Sequence, residues 1–255
     1  MEGEKMEEIH IVVATNNRYA KPLAVMLNSL FKNKISKNTI SIYILYSRLS
    51  KKNEYKLSEI ANKFNFKVQF LRLEKSLYSN YPLIDYLTAE AYYRIFIPDL
   101  LEKKIKKAIY LDCDIIIKED LSKLWEIDIE NYFLAAVRDD LAKYRYTDLS
   151  IPVGCYFNSG VLLINLQKWR ENHISDKVIK FIRKNPDKIL WADQDALNAI
   201  LYDKWLMLDP KWNYQANSLQ LMEPSIIHYV GFNKPWKKNH PFRNEYHKYS
   251  ATTPW

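Results

Sequence analysis

The segment EIHIVVAT, residues 8–15, is apolar and β-branched and runs straight into the polar stretch Asn16-Asn17-Arg18. That composition reads as a strand ending in a loop. From about Tyr19 the period changes, with Leu23, Met26, Leu27 and Leu30 at helical spacing. Thr39–Tyr46 reads as a second strand, Ser50 as the cap of a helix whose Leu57, Ile60 and Phe64 share a face, and Phe66–Leu73 as a third strand. This β-α-β-α-β order predicts an α/β protein with a mostly parallel central sheet and helices on both faces. Such sheets bind ligands beyond the carboxyl ends of their strands, where strand order reverses.

Further along, residues 86–97 read as a helix stopped by Pro98, and Lys107–Leu111 as a strand that delivers the octet YLDCDIII, residues 110–117. Phe133–Val137 is a strand leading to Asp139 and Asp140, while 142–152 is polar, tyrosine-bearing and aperiodic, as expected of a mobile loop. FNSGVLLIN, residues 157–165, gives a strand ending in Asn165 as a helix cap. Asp193 opens a helix that buries Leu197, Ile200 and Leu201, and Ile226–Val230 is a last strand around His228. No repeat, low-complexity tract or Gly/Ser linker divides the chain, so one domain is expected over 1–255, with 1–7 disordered and 234–255 as a basic, aromatic C-terminal segment.

At 255 residues and 48% hydrophobic, the chain can bury a sizeable core. Its two cysteines, Cys113 and Cys155, make neither a disulfide framework nor a C-x-x-C zinc pair. An acidic N-terminus and the lack of any run near the roughly 20 apolar residues of a spanning helix predict a cytoplasmic protein. The net charge is +8; the first eight residues hold four Glu against one Lys, leaving +11 on the remainder. That suits an anionic partner. The basic residues are dispersed and accompany no nucleic-acid-binding motif, which leaves a nucleotide-bearing substrate or an acidic membrane surface.

Asp112 and Asp114 carry the sharpest chemical signal. One D-x-D can be a strand-ending turn. Set between IYL and III, however, two anions in a partly dry site repel unless a cation or proton intervenes. A divalent metal answers that cost: carboxylates suit Mg²⁺ and Mn²⁺, and an added imidazole favours Mn²⁺. His228 can supply it, although a histidine on an apolar strand is also an ordinary core residue. The chain has only four glycines, and internal ones such as Gly160 and Gly231 mark places where the backbone needs freedom or a ligand comes close. Lys234 offers a compact charge for a phosphate. In Ala192-Asp193-Gln194-Asp195, the aspartates read as an N-cap and a first-turn acid, which leaves Gln194 unexplained.

Taken together and in this order, ATNNRYA, YLDCD, FNSGVLLIN, ADQDALN and HYVGFNKPW resemble the bacterial lipopolysaccharide-type galactosyl- and glucosyltransferases of glycosyltransferase family 8, with the glycogenins as more distant relatives. The likeness spans about residues 9–240. It implies a GT-A-type nucleotide-sugar fold and retaining transfer of galactose or glucose from a UDP-sugar to a carbohydrate or glycoconjugate acceptor. It places the Mn²⁺ ligands at Asp112, Asp114 and His228, and diphosphate contacts at Gly231 and Lys234. The nucleoside falls on Ala14, Thr15, Asn16, Tyr19 and Cys113, and the donor sugar on Arg94, Asp139, Asn158, Asp193 and Gln194. Several relatives carry an acid where this chain has Asn16, which can still accept a hydrogen bond from an imide N–H.

Other readings remain open at this stage. A sugar-1-phosphate nucleotidylyltransferase needs a Gly-rich loop after its first strand, and ATNNRYA has none. A UDP-sugar hydrolase would prefer water to every acceptor. The tail, with Lys237, Lys238, Arg243 and Lys248 among Trp236, Phe242, Tyr246, Tyr249 and Trp255, reads either as a solvated amphipathic segment or as a module for anionic membrane or polysaccharide. As an enzyme, the protein would then sit peripherally at the inner face of a membrane.

Overall fold

In the computed structural model of the chain, residues 7–82, 88–215, 222–237 and 240–255 are described. The first third alternates β1 (Glu8–Ala14), α1 (Ala20–Asn33), β2 (Thr39–Tyr46), α2 (Lys51–Lys63) and β3 (Lys67–Arg72). Ser50 caps α2 by accepting the Asn53 N–H at 3.2 Å. A 3₁₀ helix (Ala89–Phe96) passes into α3 (Ile97–Leu100), followed by β4 (Lys107–Leu111), β5 (Ile115–Ile117), α4 (Ser122–Trp125), β6 (Leu134–Arg138) and α5 (Arg145–Leu149). β7 (Phe157–Asn165), α6 (Leu166–Glu171), α7 (Ile174–Lys184), α8 (Asp193–Leu201), β8 (Trp205–Met207), β9 (Tyr214–Gln215), β10 (Ile226–His228) and α9 (Arg243–Ser250) complete it.

The main sheet has the order β3-β2-β1-β4-β7-β6-β8. Its pairs are parallel except for those of β7, which is antiparallel to both β4 and β6. From β1 the chain goes outward to β2 and β3, then returns to place β4 on the other side of β1. The reversal therefore lies between β1 and β4, and their carboxyl ends, Ala14 and Leu111, open the crevice where a ligand is expected. Strand alternation feeds two cores. Ile9, Ile11 and Val13 pack under α1 and α2, and Val12 and Ala14 face the cluster that includes Tyr92, Trp169 and Leu197.

A second sheet, β5-β10-β9, sits beside the crevice. β10 runs antiparallel to β5 in a register that sets His228 opposite Ile115 and ties the Tyr229 N–H to the Asp114 carbonyl at 3.0 Å. Pairing of two short apolar strands thus brings a late histidine to the early aspartates.

Four expectations are corrected. The described part of 86–97 is a 3₁₀ helix, with residues 86 and 87 outside the described residues; Pro98 lies in the first turn of α3, where its missing N–H costs nothing. Residues 142–152 are not an unpacked loop: they contain α5, and Ala142, Tyr146, Leu149 and Ile151 pack with Tyr156 into an apolar cluster of their own. The C-terminal segment is not merely solvated, because Tyr246 and Tyr249 of α9 are buried against Val25, Ile116 and Ile227, and Asn28 Nδ2 donates to the Tyr249 carbonyl at 3.0 Å. Asp193 does not cap α8; the capping position is Ala192. The expected disorder of 1–7 falls outside the described residues except at Glu7, which accepts the Trp125 Nε1–H at 2.9 Å, and Lys238 also lies outside them.

Asp120 anchors the element that carries Asp114. Its carboxylate accepts the N–H groups of Ile35, Ser36 and Ser122, joining the turn after α1 to the end of the β5 segment. Burial disfavours its charge, but these amides outweigh burial and hold the carboxyl down at about 2. The stabilisation is therefore present above the unfolded-state value near 4 and is lost as pH falls to about 2, a contribution of about 2 kcal/mol. Urea titrations should show Asp120→Asn less stable than the parent at pH 7 by about that amount, with the gap closing by pH 2; a pH-independent gap would contradict this account.

Candidate active site

The crevice between β1 and β4 gathers nearly every residue singled out in the sequence. Ala14, Thr15, Asn16, Tyr19, Arg94, Asp112, Cys113, Asp114, Asn158, Asp193, Gln194, His228, Gly231 and Lys234 all line it. Asp139 does not; it stands behind the wall and hydrogen-bonds two residues that do, with Oδ2 accepting from Asn158 Nδ2 and Gln194 Nε2, each at 3.1 Å.

Asp112, Asp114 and His228 offer ligand atoms that all lie within 4.8 Å of one another. His228 Nε2 is 3.6 Å from Asp112 Oδ2 and 3.7 Å from Asp114 Oδ1. The other ring nitrogen is committed: Nδ1 faces Asn213 Oδ1 at 2.9 Å, and Asn213 is oriented by donating its Nδ2–H to Asn158 Oδ1 at 2.9 Å. Nδ1 must therefore carry a proton, which leaves Nε2 to face the carboxylates as a ligand nitrogen. The two-oxygen, one-nitrogen donor set fits a divalent ion such as Mn²⁺. Lys234 Nζ is paired with Asp114. Burial opposes the Asp114 charge, but Lys234 and His228 outweigh it and hold the carboxyl well below the usual range.

Gly160 makes this approach possible. Its carbonyl accepts the Asp112 N–H at 2.9 Å, and a Cβ there would collide with His228 Cε1 and lie 2.8 Å from Asp112 Oδ2. Gly154 and Gly231 answer the other expectation for glycines, with φ of +87° and +73°.

On the opposite wall, buried Arg94 reaches Asp112 Oδ1 from Nη2 at 3.1 Å, and Tyr110 donates its hydroxyl to the same oxygen at 2.9 Å. Arg94 Nε lies 2.9 Å from Asp193 Oδ2, but its N–H points to the Ala91 carbonyl at 3.0 Å. The pair is thus electrostatic, and Oδ2 is left without a hydrogen-bond donor among the described residues. Burial pushes Asp193 up to about 7 despite the opposing pull of Arg94, and the charge on Asp112 adds to the rise. Gln194 is locked at both ends: Oε1 accepts the Ser159 N–H at 2.9 Å, and Nε2 donates to Asp139 and to the Tyr156 hydroxyl at 3.2 Å.

Sequence reasoning gave Asp195 only a helix-dipole role. It is fully buried and accepts the N–H groups of Leu190 and Trp191, Arg145 Nε at 2.9 Å and the Tyr156 hydroxyl at 2.7 Å. These bonds brace Ala192, whose φ of +50° and ψ of −125° are costly for a residue with a Cβ, and so aim Asp193 and Gln194 into the crevice. Asn213, Tyr110, Ser159 and Glu90 were also missed, since each owes its place to contacts distant in the chain. Cys113 Sγ donates to the Ala14 carbonyl at 2.9 Å, and burial pushes its thiol far up, which suits packing rather than redox chemistry.

The family model described as glycosyl transferase family 8 matches residues 10–240. Among curated proteins, the chain is similar to general stress protein A of Bacillus subtilis, at 37% identity over 98% of this chain and 96% of that protein. It is also similar to the lipopolysaccharide 1,2-glucosyltransferase of Escherichia coli, at 24% identity over 91% and 74%. Among solved structures, galactosyltransferase LgtC in complex with donor and acceptor sugar analogues superposes with a TM-score of 0.87 at 22% identity, covering 97% of each chain. That agreement shows the GT-A-like fold.

Gly160→Ala is expected to leave the protein folded but to move His228 or Asp112, weakening binding of Mn²⁺ about ten- to hundred-fold by calorimetry. Unchanged Mn²⁺ affinity would show that the close approach is not required.

Proposed function

The chain belongs to glycosyltransferase family 8, and from that premise we propose that it moves a hexose, galactose or glucose, from a UDP-sugar to a glycan or glycoconjugate hydroxyl with retention at the anomeric carbon. The observation that carries this reading is the convergence of Asp112, Asp114 and the Nε2 of His228 on one point of a crevice that also holds Lys234. Two carboxylates there would repel a diphosphate. Asp112, Asp114 and His228 would hold a divalent ion, which would supply the missing positive charge to a leaving diphosphate. Lys234, which lines the same crevice, would add a second positive charge where negative charge develops.

The other wall suits the sugar. Asp193 lines the crevice, where its carboxyl group would meet a sugar hydroxyl. Arg94 holds Asp112 and lies beside Asp193, and Asn158 and Asp139 fix Gln194. As the bond to UDP lengthens, the sugar becomes cationic, and the Gln194 carboxamide stabilises it. A carboxamide is a poor nucleophile, so a two-displacement route through it is disfavoured. The acceptor hydroxyl instead attacks on the face from which UDP departs and passes its proton to a phosphate oxygen.

At the C-terminal side, exposed Phe232 and Trp236 beside Lys237 support peripheral contact with an anionic membrane surface, where a lipid-linked acceptor would be met. Among the described residues, no helix is long and apolar enough to cross a membrane.

A panel of UDP-sugars followed by NMR, with and without Mn²⁺, should show transfer from UDP-galactose or UDP-glucose to a sugar acceptor. The product should keep the donor's anomeric configuration, and activity should vanish with chelator and return with Mn²⁺. Inversion, chelator-resistant turnover, or preference for water over every acceptor would refute the reading. Gln194→Ala should lower kcat about 100-fold with a smaller change in KM.

A further inference from the structure

We propose that Glu90, rather than Asn16, is the group that accepts the imide N–H of the donor's nucleobase, with Asn16 acting as its partner. The inference rests on the UDP-sugar reading above and concerns how this chain recognises uracil.

The observation is an exhausted side chain. Asn16 sits in the loop after β1, at the position where several members of the resembling family carry an acid. A carboxylate there has two oxygens: one can accept the turn's amides while the other remains for a ligand. Asn16 has only one oxygen. Its Oδ1 already accepts the backbone N–H of Arg18 at 2.9 Å and of Tyr19 at 3.1 Å, which fills both lone pairs. Reversing the amide would place its NH₂ against two N–H donors, so the orientation is fixed by the network. What Asn16 turns toward the crevice is a donor, and an imide N–H is also a donor. Placed together, the two would repel.

The missing acceptor lies across the crevice on the 3₁₀ helix. Asn16 Nδ2 donates to Glu90 Oε2 at 3.0 Å, a contact spanning 74 residues of sequence. Glu90 lines the same crevice as Ala14, Thr15 and Tyr19 and is half-buried. Among the described residues Asn16 is its one hydrogen-bond partner, and no Lys, Arg or His pairs with it. Its Oε1 is therefore uncommitted. A carboxylate oxygen without a partner among the described residues, beside an amide with one free N–H, presents an acceptor next to a donor. That is the complement of an imide edge, in which a ring N–H adjoins a ring carbonyl. The pair of Asn16 and Glu90 thus offers the base one donor and one acceptor from facing sides of the crevice.

Calorimetric titration of the Mn²⁺-loaded full chain with UDP and with N3-methyl-UDP, which lacks the imide proton, tests this without altering the protein. The unmodified protein should bind UDP at least about ten-fold more tightly than N3-methyl-UDP. Glu90→Gln should weaken UDP about ten-fold and leave N3-methyl-UDP nearly unchanged, because an NH₂ replaces one of the two carboxylate oxygens and sets a donor against either the Asn16 N–H or the imide N–H. The double variant Asn16→Asp/Glu90→Gln exchanges the two roles and should recover UDP affinity to within about three-fold of the parent. Equal binding of the two nucleotides by the unmodified protein, an equal loss for both in Glu90→Gln, or no recovery in the double variant would overturn the assignment. No UDP binding by the unmodified protein at all would overturn the donor reading itself and this inference with it.

Discussion

Two carboxylates one residue apart at the end of a buried strand are a standing electrostatic cost, and much of the site is organised around offsetting it. Asp112 is held by Arg94 and the Tyr110 hydroxyl, and Asp114 by Lys234. Each anion thus has its own cation on its own wall, and the point between them, where His228 Nε2 also looks, is left for an ion. Arg94 suits its role because its planar fork can meet Asp112, the Ser159 carbonyl and the Ala91 carbonyl at once, whereas Lys234 is a point charge on a flexible stem that can change partners.

Orientation passes through a run of side-chain amides. From His228 the hydrogen bonds go to Asn213, Asn158, Asp139, Gln194, Tyr156, Asp195 and finally Arg145. Each amide has one donor end and one acceptor end, so fixing one fixes the next. The imidazole tautomer and the Gln194 carboxamide are consequently set by the same network, and Asp139 matters without touching the crevice. The terminal Arg145–Asp195 pair is almost wholly buried, with 1% and 0% of the side chains exposed. Breaking such a pair leaves an uncompensated charge and typically costs about 3–5 kcal/mol, which makes it a firm end for the chain.

Much of this was legible in the sequence, and the gaps have a common origin. Local period and caps identified β1, α1, β2, α2 and β7, together with the caps at Ser50 and Asn165. The sequence pattern placed a ligand beyond the carboxyl ends of the strands, but the reversal between β1 and β4 appears only in the strand order of the folded sheet. What local pattern could not show were relations fixed by register or by packing across the crevice. The His228 position depends on antiparallel pairing with β5. α5 looked aperiodic because its apolar residues pack on Tyr156 from β7's approach rather than along one face of a long helix. Asp193 and Asp195 looked like ordinary helix-start acids because residue type there is the same whether the carboxylate caps its own helix or braces the turn before it.

That last ambiguity also explains why Ala192 tolerates its backbone. Strain of this kind costs about 1–3 kcal/mol and persists only where the surroundings over-determine it. Here the two amides before Ala192 are bound by a carboxylate that is itself held by Arg145 and Tyr156, so relaxing the turn would expose several buried polar groups at once. The strained residue is followed at once by Asp193, whose Oδ2 has no hydrogen-bond donor among the described residues, and by Gln194, whose amide is locked. A relaxed turn would begin α8 at a different angle and turn both groups away from the crevice. The strain is thus retained at a helix start where direction, as well as stability, is what the fold must deliver.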